Sequence, residues 1–232
     1  MNRILTLLRK KWPEYFLEIL VITIGILGAF LLNSWKESRA LEVQNRKIYG
    51  FIKDDLLSDI SEIDSALEGY QISMKHMLEM IEGRASQEEL ISDPIFAKSF
   101  LGYEDLMIEQ RGLTLLENSV DLDDEESMRL SNLVSHFYTE HLVEIDIASD
   151  ELANNFRNNY DYWTQQDWFL EFAFGENDRT AFSDYAIDNM VFRKRVGAYY
   201  ILYDIYVSEL LRFRSEALTI IEEIDSYLTP QE

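Results

Sequence analysis

Residues 15–32 read YFLEILVITIGILGAFLL, and this stretch decides how the rest of the chain is placed. Every residue in it is apolar except Glu18 and Thr23. As an α-helix, a stretch of this length extends about 27 Å, close to the ~30 Å hydrocarbon core of a bilayer. The sequence therefore predicts one transmembrane helix near the amino terminus.

The residues that flank this stretch support the same interpretation. Trp12 and Trp35 are separated by about 34 Å along a helix, which would place their indoles in the two headgroup layers. The basic run Arg9-Lys10-Lys11 would also suit a cleavable signal peptide, but residues 29–34 contain no small-x-small cleavage site. We expect an uncleaved signal-anchor helix over residues 15–35, preceded by a short basic tail, residues 1–14.

One face of the predicted span carries its polar and small residues. Glu18, Gly25, Ala29 and Asn33 fall on the same side of a helix that advances about 100° per residue. Gly25-x-x-x-Ala29 lets a second helix approach closely, and polar side chains in a membrane favour protein neighbours over lipid. We call these four residues the anchor face and expect them to pair with another helix. The alternative for Glu18 is that it extends to the inner interface.

Charge is distributed unevenly along the chain, which has 21 Lys and Arg, 43 Asp and Glu, and a net charge of −22. Residues 1–36 contain five basic and two acidic side chains, so residues 37–232 contain 16 and 41. An anionic cytoplasmic leaflet repels so acidic a domain and holds the basic tail. The distribution predicts a cytoplasmic amino terminus, and it argues against nucleic acid as a partner because phosphate binding needs clustered Lys and Arg.

The anchor region resembles a known family of uncharacterised, single-span bacterial membrane proteins, mostly from Bacteroidota, that carry a domain of unknown function. The resemblance covers about residues 14–65, and it rests on Glu18, Ile24-Gly25-Ile26-Leu27 and Asn33-Ser34-Trp35-Lys36-Glu37-Ser38-Arg39. A weaker similarity lies in Tyr199-Tyr200-Ile201-Leu202-Tyr203. The resemblance implies a protein of the bacterial inner membrane with a helical periplasmic domain, and it implies no catalytic residues.

Two long segments beyond the span have heptad spacing, which is typical of helices that pack along a seam. The first seam comprises Ile60, Ile63, Leu67, Tyr70, Met74, Met77 and Ile81. The second comprises Phe192, Val196, Tyr199, Tyr203, Tyr206, Leu210, Phe213, Ala217, Ile220, Ile224 and Tyr227. We expect the acidic residues opposite the first seam to form a solvated face: Asp55, Asp59, Glu62 and Glu68. Aromatic packing explains the tyrosines of the second seam, although a tyrosine-lined ligand pocket between helices is an alternative.

A third long helix is expected over residues 125–163, with apolar residues at an average spacing near 3.7. Between the long helices, Ser86 and Glu89 form a predicted capping box, and Asp93-Pro94 is a predicted helix start. The acidic run 121–126 has neither the glycine nor the closing glutamate of a calcium loop. The predicted fold is all-α: a transmembrane helix that continues into an elongated antiparallel bundle, residues 36–232, of three long helices plus short ones.

The sequence offers no recognisable catalytic machinery. It has no Cys, and His136 and His141 are five residues apart, which does not place them together on one helix face as a zinc pair requires. No phosphate-binding loop or nucleophile elbow is present. We expect a non-enzymatic protein without metal or cofactor.

The segment 160–174 is unusually aromatic, and we call it the aromatic segment. We interpret it first as a hydrophobic plug that closes one end of the bundle. The alternative is a docking patch for a protein partner, since interfaces favour aromatic anchors. Its seven aromatic residues are Tyr160, Tyr162, Trp163, Trp168, Phe169, Phe172 and Phe174.

These observations favour an accessory or scaffold subunit that forms a homo-oligomer or pairs with another membrane protein. The alternative is a periplasmic sensor that binds a small ligand. A cytoplasmic tail of about 14 residues is too short for an output domain, so a sensor would have to move the helices of a partner.

Overall fold

The computed structural model describes residues 2–103, 105–118, 125–175 and 178–229, with side chains at Trp12 and from residue 15 onward. Within these ranges the chain forms eight helices and no strand, which confirms the predicted all-α class. The helices are α1 Asn2–Ile81, α2 Gln87–Ser92, α3 Pro94–Leu101, α4 Arg111–Asn118, α5 Glu125–Trp163, α6 Phe169–Phe174, α7 Thr180–Asp188 and α8 Met190–Leu228.

Helix α8 packs between the other two long helices, α1 and α5. Residue numbers fall along α8 as they rise along both neighbours, so α8 is antiparallel to each of them. On the α1 side, the ion pairs are Lys53 with Asp225 and Asp64 with Arg214. On the α5 side, Arg129 pairs with Glu223, and the rings of Phe156 and Tyr199 lie 6.4 Å apart.

Both heptad seams face the core, as the sequence predicts. In α8 every residue of the seam is buried except Tyr227, which is half-buried and meets the ring of Tyr49 edge-on at 5.0 Å. In α1 the seam residues are buried or half-buried. The buried face of α1 starts before the seam, at Ile48. The core is therefore formed by α8 lying in the groove between α1 and α5.

The ends of the helices follow local sequence signals. Helix α1 stops before Gly83, which takes the left-handed conformation with φ 68° that glycine adopts without steric cost. Ser86 and Glu89 form the predicted capping box of α2, and the Asp93 carboxylate accepts from the backbone N–H groups at the start of α3. Asn189 caps α8 in the same way.

The bundle has a base near the apolar stretch of α1 and a distal end far from it. At the base, Arg46 donates to the carbonyl of Leu228 at 2.8 Å, and the Tyr49 hydroxyl donates to the carbonyl of Ser127 at 2.9 Å. At the distal end, α2 packs against α3 and α7. Phe100 of α3 and Phe182 of α7 contact the ring of Phe192 at the start of α8. Most of the acidic run 121–126 lies outside the described residues.

Candidate functional site

The predicted span is the amino-terminal part of α1, and the structure leaves it uncovered. Every residue from Tyr15 to Trp35 is exposed except Gly28, which is half-exposed. Trp12 and Trp35 are each 68 % exposed and stand on the same unbroken helix. This is the one described segment that is long and apolar enough to cross a membrane, and no residue of its most apolar window is buried.

The four residues of the anchor face lie on this uncovered part of α1. A Cβ built on Gly25 meets nothing within 4 Å, so the small-residue notch is open. The Asn33 amide donates to the Glu37 carboxylate at 2.8 Å, one turn further along the same helix. The Asn33 amide therefore has a hydrogen-bond partner on its own helix, whereas Gly25 and Ala29 leave room for a second helix.

A stalk, residues 36–47, joins the span to the base of the bundle without a break in the helix. Over about 18 Å its residues are exposed or half-buried, and full burial begins at Ile48. Any force on the span is therefore passed to the bundle along one continuous helix.

A non-helical strap, residues 102–103 and 105–110, crosses the bundle from the distal end towards the base. Side chains of α8 and α5 hold it. The Tyr199 hydroxyl of α8 donates to the carbonyl of Gly102 at 2.8 Å, and the hydroxyls of Tyr103 and Ser149 of α5 lie 2.9 Å apart. Further along, the backbone N–H of Leu106 donates to the Tyr206 hydroxyl at 2.8 Å. Two tyrosines of the α8 seam are therefore explained by their bonds to the strap.

Asp55 and Asp59 contradict the predicted solvated face, because they are only 4 % and 2 % exposed. Helix α4 and the strap cover them. The Asp55 carboxylate accepts from the backbone N–H of Gly112 at 2.6 Å and from the Arg111 guanidinium at 2.8 Å. One Asp59 oxygen accepts from the backbone N–H of Glu109 at 3.0 Å. Glu62 and Glu68 are exposed as expected.

The second oxygen of Asp59 is buried and has no hydrogen-bond partner among the described residues, and the same is true of the Tyr138 hydroxyl. Burial raises the pKa of Asp59 to about 7, and the nearby charges of Glu109, Asp55 and Glu62 add to the shift. Burial also raises the pKa of Tyr138, and Asp59 contributes. The carboxyl group that accepts a hydrogen bond from the strap therefore has a strongly raised pKa.

A cleft of about 230 Å³ opens between α1, α3 and α8. The rings of Tyr70 and Tyr203 lie 5.7 Å apart at its wall, and Lys98 of α3 also lines it. This cleft is the counterpart of the tyrosine-lined pocket that the sequence left as an alternative. Lys98 was not singled out from the sequence, since an isolated lysine on a short helix carries no signal of its own.

The aromatic segment closes the distal end, and the structure divides its seven members. Trp163 and Trp168 are core residues, 1 % and 4 % exposed, and Trp168 packs 4.8 Å from Phe182. Tyr160 and Phe174 are 45 % and 82 % exposed. The other members are half-buried: Tyr162, Phe169 and Phe172. Only the exposed edge is therefore available for partner docking, the alternative interpretation of this segment.

The histidines do not cluster. His141 is buried, with Nε2 3.1 Å from a Glu216 carboxylate oxygen, whereas His136 is exposed. His76 is buried against Ser99 and stacks on Phe96 with ring centroids 4.4 Å apart. In the part of the chain that the structure describes, no group of three or more His, Cys, Asp or Glu residues could hold a metal ion.

Comparison with protein-family models, with curated proteins and with solved structures gives no significant match. The geometry of this chain is therefore the basis for its proposed function.

Proposed function

We propose that the protein is a non-enzymatic, single-pass subunit of the bacterial inner membrane that holds an acidic helical bundle in the periplasm and pairs with a partner through its span. The observation that supports this most directly is the uncovered apolar part of α1, which continues as one helix into the bundle core. Exposed apolar surface of this extent is stable in lipid and not in water. The resemblance to single-span bacterial proteins favours the same placement.

The topology can be tested at the carboxy terminus. Because Arg46 of α1 bonds the carbonyl of Leu228, the end of α8 lies at the base of the bundle, on the bundle's side of the span. We expect an alkaline phosphatase fused after residue 232 to be active and a green fluorescent protein at the same place to stay dark. Fluorescence without phosphatase activity would overturn the proposed orientation.

Pairing through the anchor face can be tested by filling its notch. Gly25→Ile or Ala29→Ile should reduce the partner or second copy recovered by pull-down in mild detergent by about fivefold or more, since helix contacts in membranes are worth about 1 kcal/mol. Leu27→Ile is the matched control, because Leu27 lies on the opposite side of the helix. Recovery that is equal in all variants, or a protein that is always monomeric and alone, would contradict the proposal.

The exposed edge of the aromatic segment is the second place where a partner could bind. Phe174 and Leu170 are the most exposed apolar residues there, at 82 % and 69 %. They lie among acidic side chains, including Asp167 and Glu171. A partner with apolar groups flanked by basic residues would complement this surface.

Sensing is the second candidate function, and the cleft favours it. Four of the residues that line the cleft, Ala66, Gly69, Tyr70 and Ser73, belong to α1, the helix that continues into the span. A ligand in the cleft would therefore act on the same helix that pairs in the membrane. A sensor of this kind would not need an output domain on its short cytoplasmic tail, because the signal would reach a partner's helices directly through the span.

A further inference from the structure

A second pocket, of about 150 Å³, lies at the distal end of the bundle, where the ends of α3 and α5 meet α6. None of the described residues that line it is charged. A cavity of about this volume accommodates a benzene ring, so the pocket suits a compact group of about six heavy atoms. Five of its lining residues are aromatic: Tyr160, Trp163, Trp168, Phe169 and Phe172.

The aromatic rings around this pocket lie in perpendicular orientations. The rings of Tyr160 and Phe169 have centroids 5.6 Å apart and an interplanar angle of 87°. The rings of Trp168 and Phe172 lie 5.8 Å apart at 88°. Rings in two perpendicular orientations can surround a small group on several sides, which a single flat aromatic surface cannot do. The faces of aromatic rings carry partial negative charge and attract cations.

The charges of the aromatic segment favour a cation over a neutral molecule or an anion. The segment contains three exposed acidic residues, Asp161, Asp167 and Glu171, and no basic residue. Exposed carboxylates raise the local concentration of cations. One ring of the segment already binds a cation, since the Arg195 guanidinium lies 3.9 Å over the ring of Tyr162, which is not a lining residue of the pocket.

We propose that this pocket binds a soluble quaternary ammonium cation, with the methyl groups of the cation among the rings of Tyr160, Trp168 and Phe169. A quaternary ammonium has no N–H group that needs an acceptor, so aromatic and apolar walls are sufficient to hold it. The proposal adds a binding site to those of the proposed functions, and it does not depend on the pairing of the anchor face.

The position of the pocket argues for a soluble ligand and against a lipid headgroup. The ring of Trp163 lies 6.4 Å from that of Phe192, at the start of α8. Leu228, at the base of the bundle, is about 54 Å away along the same helix. A headgroup of the bilayer that α1 is proposed to cross would therefore lie at the opposite end of the bundle.

The test uses the full chain in maltoside micelles, which contain no quaternary ammonium, and saturation-transfer NMR detected on the methyl protons of the ligand. Choline titrated to about 10 mM should give a saturable signal with a Kd of about 1 mM. Its neutral analogue, in which a tert-butyl group replaces the trimethylammonium group, should bind about fivefold or more weakly, because it has the same shape without the charge. Choline binding should be unchanged in phosphatidylcholine nanodiscs.

Two substitutions each remove one ring and keep an apolar side chain: Tyr160→Leu and Phe169→Leu. Tyr160 is 45 % exposed and Phe169 is half-buried, so neither residue belongs to the fully buried core. Each substitution should weaken choline binding about fivefold or more. Phe174→Leu is the matched control and should leave choline binding unchanged, because Phe174 belongs to the same segment but does not line the pocket.

Equal binding of choline and its neutral analogue would show an apolar pocket without a preference for charge, and would overturn the proposal. The same conclusion would follow if choline binding were absent from the wild type, if the control variant lost it as much as Tyr160→Leu and Phe169→Leu, or if phosphatidylcholine nanodiscs blocked it. None of these outcomes alters the pull-down result for Gly25→Ile, so this proposal and the proposed pairing fail separately.

Discussion

Replacing Gly112 with alanine is expected to lower the free energy of unfolding by about 2–3 kcal/mol. Gly112 lies where α4 touches the backbone of α1: a Cβ at this position would be 2.7 Å from both the backbone nitrogen and the Cα of Ile52. Backbone atoms cannot move aside as a flexible side chain can. Helix α4 would have to retreat, and its retreat would break the bond from the Gly112 N–H to the buried Asp55 carboxylate, which is costly to leave unpaired.

Gly197→Ala is the control for this prediction. Gly197 is inside α8, and a Cβ there would meet the Ile81 side chain at 4.0 Å, an ordinary contact. The same substitution should therefore stabilise the protein by about 0.5–1 kcal/mol through helix propensity. Both variants can be compared by thermal unfolding of the full chain in micelles, followed by circular dichroism. Equal effects at the two positions would show that α4 does not pack on α1 as described.

Replacing Asp59 with asparagine should stabilise the protein at about pH 8 by as much as ~4 kcal/mol and change little at about pH 4. Because burial raises the pKa of Asp59 to about 7, the folded protein keeps a proton that the unfolded chain releases at about pH 4. Stability is therefore lost as the pH rises from about 4 to about 7, and the loss is complete above that. Asparagine stays neutral and can still accept the Glu109 N–H.

Denaturation of the full chain between about pH 4 and pH 8 would measure this difference. Asp64→Asn is the matched control on the same helix. The Arg214 guanidinium lowers the pKa of Asp64, so the charged form is the favoured one and asparagine should give no gain at high pH. A stability curve for Asp59→Asn that runs parallel to that of the wild type would contradict the shifted pKa.

The three long helices could be predicted because each carries enough apolar residues at helical spacing to identify its buried face. The expected range 125–163 coincides with α5, and the seam of α8 is buried apart from its last residue. Such faces follow from local sequence alone, since residues three and four apart share one side of a helix. The capping signals at Ser86 and Asp93 were readable for the same reason.

The strap and the buried carboxylates could not be predicted in this way. The strap has no periodicity, and it is held by side chains about 50 to 100 residues away along the chain, such as Asp59 and Tyr206. The sequence around Asp55 did contain one usable signal. Ile48, Tyr49, Ile52 and Leu56 extend the apolar face back from Ile60, and a buried face this wide needs a second covering element. That element is α4, which is too short to show a seam.

For the cleft, the sequence indicated only the kind of site, a tyrosine-lined pocket between helices, and not its location. Tyrosines on a heptad seam are compatible with packing and with a pocket, and the structure uses them for both: Tyr199 and Tyr206 bond the strap, whereas Tyr203 lines the cleft. Their roles depend on which element lies opposite each hydroxyl. That placement is a tertiary property, and spacing along α8 does not encode it.

Because α1 is unbroken, it fixes the rotation about its own axis between the anchor face and the face that contacts the bundle. With about 100° of rotation per residue, the 24 residues from Gly25 to Tyr49 set the anchor face and the bundle's contact face about 240° apart around a common axis. One residue inserted in the stalk would turn the whole bundle by about 100° relative to a partner bound in the membrane, and seven would restore its azimuth to within about 20°. If the span pairs as proposed, the number of residues in the stalk determines which side of the bundle faces the partner.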